Sequence, residues 1–327
     1  MKKTIFLSTV LFCLLTLVSC DFIVKNVYLD GNTSGGGGGG GNDGDNGGGG
    51  GDSGQINWNA AQISISTEAH LREIARLVNA GTNQFNGRTI TLMNNIEIQS
   101  GAWVPIGNAN NRTFNGTFNG NGNIVSGIKI NSTSDLQGFF GNIASVAIVR
   151  NLGVIVDITG GGIVGGLAGR NQGTIENCFA EGNIIGSGDR IGGLVGINTS
   201  GIPNGNIINS YFIGVVAGND FVGGLVGDNQ GAIERTYAAA DVSAAGNNTR
   251  VGGLAGLNFT PTWLTRSFAS GNVVGNRLVG SGNANNSRMI TEAEMRQQET
   301  FINWDFSTIW RIIPETNNGF PHLRVFE

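Results

Sequence analysis

Apolar and polar residues alternate in short runs along most of the chain, and the runs recur. Gly165-Gly166-Leu167-Ala168-Gly169 returns as Gly192-Gly193-Leu194-Val195-Gly196. It returns again as Gly223-Gly224-Leu225-Val226-Gly227 and as Gly252-Gly253-Leu254-Ala255-Gly256. The step between copies is nearly even and falls within the roughly 20–50 residues that mark a repeat architecture. A diverged copy, Gly138-Phe139-Phe140-Gly141, precedes them. Behind each copy follows an apolar column of Ile175, Ile207, Ile233 and Leu264. A small column (Cys178, Ser210, Thr236, Ser267) and an aromatic one (Phe179, Tyr211, Tyr237, Phe268) come next. A weaker third segment holds Ile184-Ile185, Val215-Val216, Val242 and Val273-Val274.

Each segment alternates with period two, and Gly, Asn and Asp mark the corners. No repeat holds a run of roughly 12 residues with the 3.6 periodicity of a helix. A propeller blade needs four strands and about 40 residues. The pattern therefore predicts an all-β fold, a right-handed parallel β-helix with three strands in each coil of about 28 residues. Equivalent side chains stack about 4.8 Å apart in such a coil, so Asn151, Asn177 and Asn209 are expected to ladder their amides. Open solenoid ends need caps. At the front, Ser66 or Thr67 caps a helix running to about Asn79, with an apolar stripe of Leu71, Ile74 and Val78 and with Gly81 at C′. At the back, Thr291 and Glu294 form a capping box. Trp304, Phe306, Trp310 and Phe320 are then expected to plug the last coil.

The N-terminal stretch ahead of Cys20 has a different pattern. Lys2 and Lys3 precede an apolar run, Ile5 to Val18. A membrane span needs about 20 residues, so this run is too short and reads as an export signal. It ends in Leu17-Val18-Ser19-Cys20, which resembles the bacterial lipobox. That resemblance implies cleavage before Cys20 and acylation of its thiol by palmitate-type chains, hence a membrane contact through lipid. Residues 31 to 54 hold the runs Gly35–Gly41 and Gly47–Gly51 and read as a flexible tether. The expected organisation is a signal over 1–19, the lipidated Cys and tether over 20–54, and a cap helix with the first strand over 55–100. The solenoid follows over 101–275 and a closing segment over 276–327. With 56 Gly in 327 residues and only 13% charged residues, the composition suits tight coils. A net charge of −4 argues against nucleic acid as a partner.

The repeat resembles the GLUG-motif repeats of bacterial surface and secreted proteins. The matching form is Gly-Gly-Leu-Val-Gly-x-Asn followed by a Gly-x-Ile-x-Asn-Ser-Tyr-like segment, best seen at 192–211 and 165–180. Flanking stretches resemble the same family: Phe85-Asn86-Gly87-Arg88-Thr89-Ile90, Trp103-Val104-Pro105-Ile106-Gly107, and Phe320-Pro321-His322-Leu323. The resemblance implies a β-solenoid and little about activity.

Candidate chemistry is thin. His70 is expected in the entry helix, off the Leu71/Ile74 face, in a solvent-exposed or boundary role, and His322 in packing; no His-Glu-x-x-His or Gly-x-Ser-x-Gly motif occurs. Cys178 stands in a Ser/Thr column, so it reads as a small packed residue. Asp189 and Asp220 each lie three residues before a Gly-Gly and form a weak candidate Ca²⁺ pair. Arg170, Arg190, Arg235, Arg250 and Arg266 read first as scattered solubilising charges, with a modest ligand surface as the alternative. No catalytic residue and no cofactor is expected. The reading is a monomeric, lipid-anchored protein of the bacterial envelope, at the outer membrane or cell surface. It would act as an adhesin-like module toward a host or envelope protein or glycan. The alternatives are a β-helical polysaccharide-active enzyme, marked by clustered carboxylates, and a purely structural envelope protein.

Overall fold

Each repeat closes one turn of a parallel β-solenoid, and a full turn carries four strands rather than the expected three. The computed structural model describes residues 56–199, 205–246, 250–260 and 263–327; the signal, Cys20 and the tether lie outside the described residues. In one coil the strands are Val164–Gly165, Ala168–Asn171, Thr174–Glu176 and Phe179–Gly186. The extra strand arises because the Gly-Gly-Leu-Ala-Gly segment breaks at Gly166-Leu167, and its halves join different sheets. A second corner falls between Ile175 and Phe179, where Asn177 takes φ 52°. Its counterparts Asn209, Arg235 and Arg266 are also left-handed, at 46°, 52° and 48°. Asn tolerates that region better than most residues; the two Arg at the same corner hold it without that advantage.

The repeat offsets set the strand register. Phe179 pairs with Tyr211, Tyr211 with Tyr237, and Tyr237 with Phe268. Val195 likewise sits between Ala168 and Val226. Aliphatic side chains from all four sides fill one continuous core, with Leu167, Leu194, Leu225 and Leu254 fully buried in it.

At the front, helix α1 (Glu68–Ala80) begins as the sequence predicts, with the Thr67 hydroxyl accepting the His70 N–H at 3.2 Å. Leu71, Ile74, Ala75 and Val78 are buried, and Gly81 ends the helix at φ 73°. A strand not foreseen, Gln62–Ile65, precedes α1 and pairs in parallel with Thr89–Leu92, so the helix is a crossover between two strands.

At the back, the capping box of Thr291 and Glu294 forms at the start of helix α2 (Glu292–Met295). The closing segment does not plug the last coil. It runs back along the outside of the long strands, over the aromatic column. The Trp304 indole N–H donates to Arg266 O at 2.9 Å, the Tyr237 hydroxyl donates to Pro321 O at 2.7 Å, and Phe326 lies edge-on to Phe179 at 4.9 Å. The reason is the direction of the aromatic column. Its rings project outward from the long strands, so only a covering segment can bury them. Phe179, Tyr211, Tyr237 and Phe268 thus join Met295, Phe301, Trp304 and Trp310 in a second hydrophobic cluster, apart from the solenoid core. The last coil is closed instead by two short strands, Val279–Ser281 and Arg288–Met289.

Candidate interaction surface

The repeat motif is mostly consumed by the fold. A methyl group on Gly192 would stand 2.7 Å from Gly227 N and 2.8 Å from Val226 Cα of the next coil. Gly165 meets Gly196 N at 2.7 Å and Gly223 meets Gly256 N at 2.8 Å in the same way. The first glycine of one coil therefore lies against the third glycine of the next, and two sheets touch backbone to backbone. The middle glycines face the long strands: on Gly193 a methyl would reach the Phe212 ring at 2.2 Å, and on Gly166 it would reach Ala180 Cβ at 2.8 Å. None of Gly165, Gly166, Gly169, Gly192, Gly193, Gly196, Gly223, Gly224, Gly227, Gly252, Gly253 or Gly256 has room for a side chain.

The Asn column expected from the sequence is present. Asn209 Nδ2 donates to Asn177 Oδ1, Asn177 to Asn151, and Asn151 to Asn119, each at 3.3 Å. Arg235 continues it, its Nε donating to Asn209 Oδ1 at 3.1 Å. The motif also carries a second ladder that the sequence reading does not foresee. Asn171 Nδ2 donates to Asn198 Oδ1 at 2.8 Å, Asn198 to Asn229 at 2.9 Å, and Asn229 to Asn258 at 2.7 Å. All four are buried, and Asn171 and Asn229 also bind the N–H of Gly173 and Gly231 two residues on. Buried amides satisfied on both sides fix the coil register. Cys178 is fully buried, donates its thiol to Glu176 O, and burial pushes that thiol up to about 12. It is inert as a nucleophile.

The exposed side chains are the remaining candidates for a site. The corner ahead of the Gly-Gly strand gathers residues that the sequence scattered. Arg190, Phe221 and Arg250 occupy the same place in successive coils, and both guanidiniums face the Phe221 ring, at 5.7 and 3.6 Å. Their acids lie beneath. Asp228 is 3% exposed and accepts from Arg190 Nε at 3.2 Å and Gln230 Nε2 at 3.1 Å. Asp220 Oδ1 accepts from Arg250 N at 2.8 Å and Nε at 3.1 Å, and the Arg250 guanidinium holds its carboxyl below the usual range. The two guanidiniums remain 40% exposed, so the ridge shows solvent cations and an aromatic edge while its carboxylates stay under cover. Arg170 stands in the neighbouring strand and donates to Asn110 Oδ1 at 2.8 Å.

The candidate Ca²⁺ pair is brought together in register, Asp189 opposite Asp220. Asp220 is engaged by Arg250, and Asp189 accepts from Asn219 Nδ2 at 3.1 Å. Among the described residues no group of three His, Cys, Asp or Glu side chains is placed to hold a metal. Arg235 and Arg266 belong to a different corner, where both contact Glu234. His70 is a half-exposed helix residue beside Trp58, and His322 is buried against Glu327 at 2.9 Å. Column matching could not reveal the ridge, because its positions change type from Ile163 to Arg190, Phe221 and Arg250.

Two curated proteins, one solved structure and one family model are similar to this chain. Halomucin of Haloquadratum walsbyi is 36% identical over 122 residues, which are 34% of this chain and 1% of that one. A protein of Evansella cellulosilytica named as a Gly-rich membrane protein is 37% identical over 122 residues, 36% of this chain and 14% of that one. The chain thus spans only a small part of either relative. A crystal structure assigned as an immunoglobulin A1 protease of Bacteroides ovatus matches with a TM-score of 0.57 at 15% identity, over 81% of this chain and 93% of that one. At that identity the likeness is one of fold. The family model of the GLUG motif matches residues 160–185, so the coil built from them carries that motif.

Proposed function

We propose that this chain is a non-catalytic, monomeric protein of the bacterial cell envelope, held by lipid on Cys20, whose solenoid serves as an adhesin-like module for a protein or glycan. The observation that carries the reading is the ridge of Arg190, Phe221 and Arg250 on a rigid parallel coil. Arg and aromatic side chains supply most hot spots of binding surfaces. Guanidiniums whose acids are buried beneath them are fixed before a partner arrives, which lowers the ordering cost of binding. The names of the two relatives, a halomucin and a Gly-rich membrane protein, agree with a place at the cell boundary.

The test is protease treatment of intact cells, with a periplasmic protein as the lysis control. Cleavage of the chain in unbroken cells is the expected result. Protection until lysis would remove the surface reading, and turnover of a polysaccharide by the purified chain would remove the non-catalytic one. Cys20→Ala should release the chain from the membrane fraction; unchanged partitioning would remove the lipid anchor.

A further inference from the structure

Away from the ridge, a recess of about 340 Å³ opens where α1 gives way to the strand beginning at Thr89. Asn59, Thr82, Asn83, Gln84, Asn86 and Arg88 line it, with Gly81 at the rim. The wall thus contains amides, a hydroxyl and a guanidinium, with neither a carboxylate nor an apolar side chain.

Part of the wall is already fixed. Asn83 Nδ2 donates to Trp58 O at 2.8 Å and its Oδ1 accepts the Phe85 N–H at 2.9 Å; Gln84 Oε1 accepts from Asn115 Nδ2 at 3.0 Å. Part is uncommitted. Arg88 Nη2 reaches only Asn59 Oδ1, at 3.5 Å, so its terminal nitrogens carry the uncommitted charge, while Nε is buried without a partner and offers a ligand no surface. A second guanidinium, Arg112, lies directly against Gly81, where a methyl group would stand 2.4 Å from its Nη1. Among the described residues neither Arg88 nor Arg112 forms an ion pair. The recess also faces the C-terminus of α1, whose dipole carries roughly half a negative charge. Two full positive charges outweigh it.

We propose that this recess binds one carboxylate-bearing sugar residue, a uronate or sialate unit of a glycan. The proposal rests on the glycan-facing reading above. A planar guanidinium takes a carboxylate through two parallel hydrogen bonds, and amides can donate to and accept from sugar hydroxyls. The volume lies at the small end of ligand pockets, which span about 300–1,000 Å³, and suits one or two rings.

The experiment is calorimetric titration of the full mature chain, in detergent, with glucuronate oligosaccharides and their neutral glucose counterparts. The acidic ligand should bind at least about tenfold more tightly, a difference of ~1.4 kcal/mol. Arg88→Gln should abolish that preference, Arg88→Lys should keep only part of it, and Arg277→Gln, on an exposed loop elsewhere, should leave it intact. Melting curves show whether each variant is folded; if Arg88→Gln is not, Arg88→Lys and Arg112→Gln decide the matter. Equal affinity for acidic and neutral sugars, no binding, or an unaltered preference in folded Arg88 variants would overturn the proposal. A sulfated sugar that binds as well as the uronate would overturn the carboxylate assignment. Binding by a chain that proves periplasmic would leave the recess standing and remove only the surface reading.

Discussion

Two sides of the coil repeat with one period and close in opposite ways. On the glycine side, Gly192 of one coil lies against Gly227 of the next, with no side chain between them. On the long-strand side, Tyr211 stacks between Phe179 and Tyr237 at 5.0 and 4.8 Å, and the rings point out of the solenoid. The first side is self-complementary, so stacking identical coils completes it. The second leaves a row of rings that stacking cannot bury, and the non-repeated segment from Ile290 to Phe326 covers them. A repeat can therefore encode its own seam, while an outward aromatic column needs a partner from outside the repeat.

The strongest way to break the comparison is to fill the seam. Gly227→Ala would place a methyl 2.5 Å from the backbone of Arg190 and Ile191. Backbone cannot give way as a side chain can, so a loss of about 4 kcal/mol or failure to fold is expected, read by chemical denaturation. Trp310→Ala attacks the other side. Trp310 is fully buried among Tyr211, Tyr237 and Trp304. A loss of about 3–4 kcal/mol is expected, appearing as an early transition of the covering segment with the solenoid's β circular dichroism retained.

A smaller effect is expected inside the seam's hydrogen bonding. Asn198→Ala would strip Asn171 Nδ2 of its ladder acceptor, leaving it only Gly173 O, and Asn229 Oδ1 of its ladder donor, leaving it only the Gly231 N–H. A cost of about 2 kcal/mol follows from the stranded amides, with Asn177→Ala in the more exposed ladder costing less. The smallest effect concerns acid. The Glu68 carboxyl accepts from Ser100 Oγ, from the N–H groups of Gln99 and Ser100 at 3.0 and 3.2 Å, and from Arg72 Nε at 2.7 Å. These bonds, that to the Ser100 hydroxyl foremost, hold it down to about 2. Its unfolded value is about 4.3, so its stabilisation is complete above that pH and is lost as the pH falls toward 2. The fluorescence of Trp58, edge-on to His70 and Phe85, should report a looser N-terminal cap at pH 3 than at pH 7. An unchanged signal would show that Glu68 does not hold the cap.

What was legible in the sequence follows the same division. Features that repeat could be aligned: the glycines, the aromatic column, and the Asn151, Asn177, Asn209 ladder. The sequence does not show the fourth strand, because Gly166-Leu167 turns without any residue that marks a corner beyond the glycines themselves. The sequence does not show the direction of the closing segment, because Trp304, Trp310 and Phe320 declare only that they will be buried. Their target depends on which way Tyr211 points, and alternation fixes that only once the corner at Asn209 is known. The ridge stayed hidden because its column mixes Arg190 with Phe221. The recess stayed hidden because Asn59 and Arg88 meet only through the unforeseen strand Gln62–Ile65.

Hydrogen exchange by mass spectrometry, comparing the intact chain with Trp310→Ala, tests the separation of the two sides most directly. Protection should fall across residues 290–327 while Val195–Asn198 and Val226–Asn229 keep theirs, because the covering segment and the seam belong to different hydrophobic clusters. Equal loss of protection in the covering segment and in those two strands would contradict it and make the covering segment a condition of the coil itself.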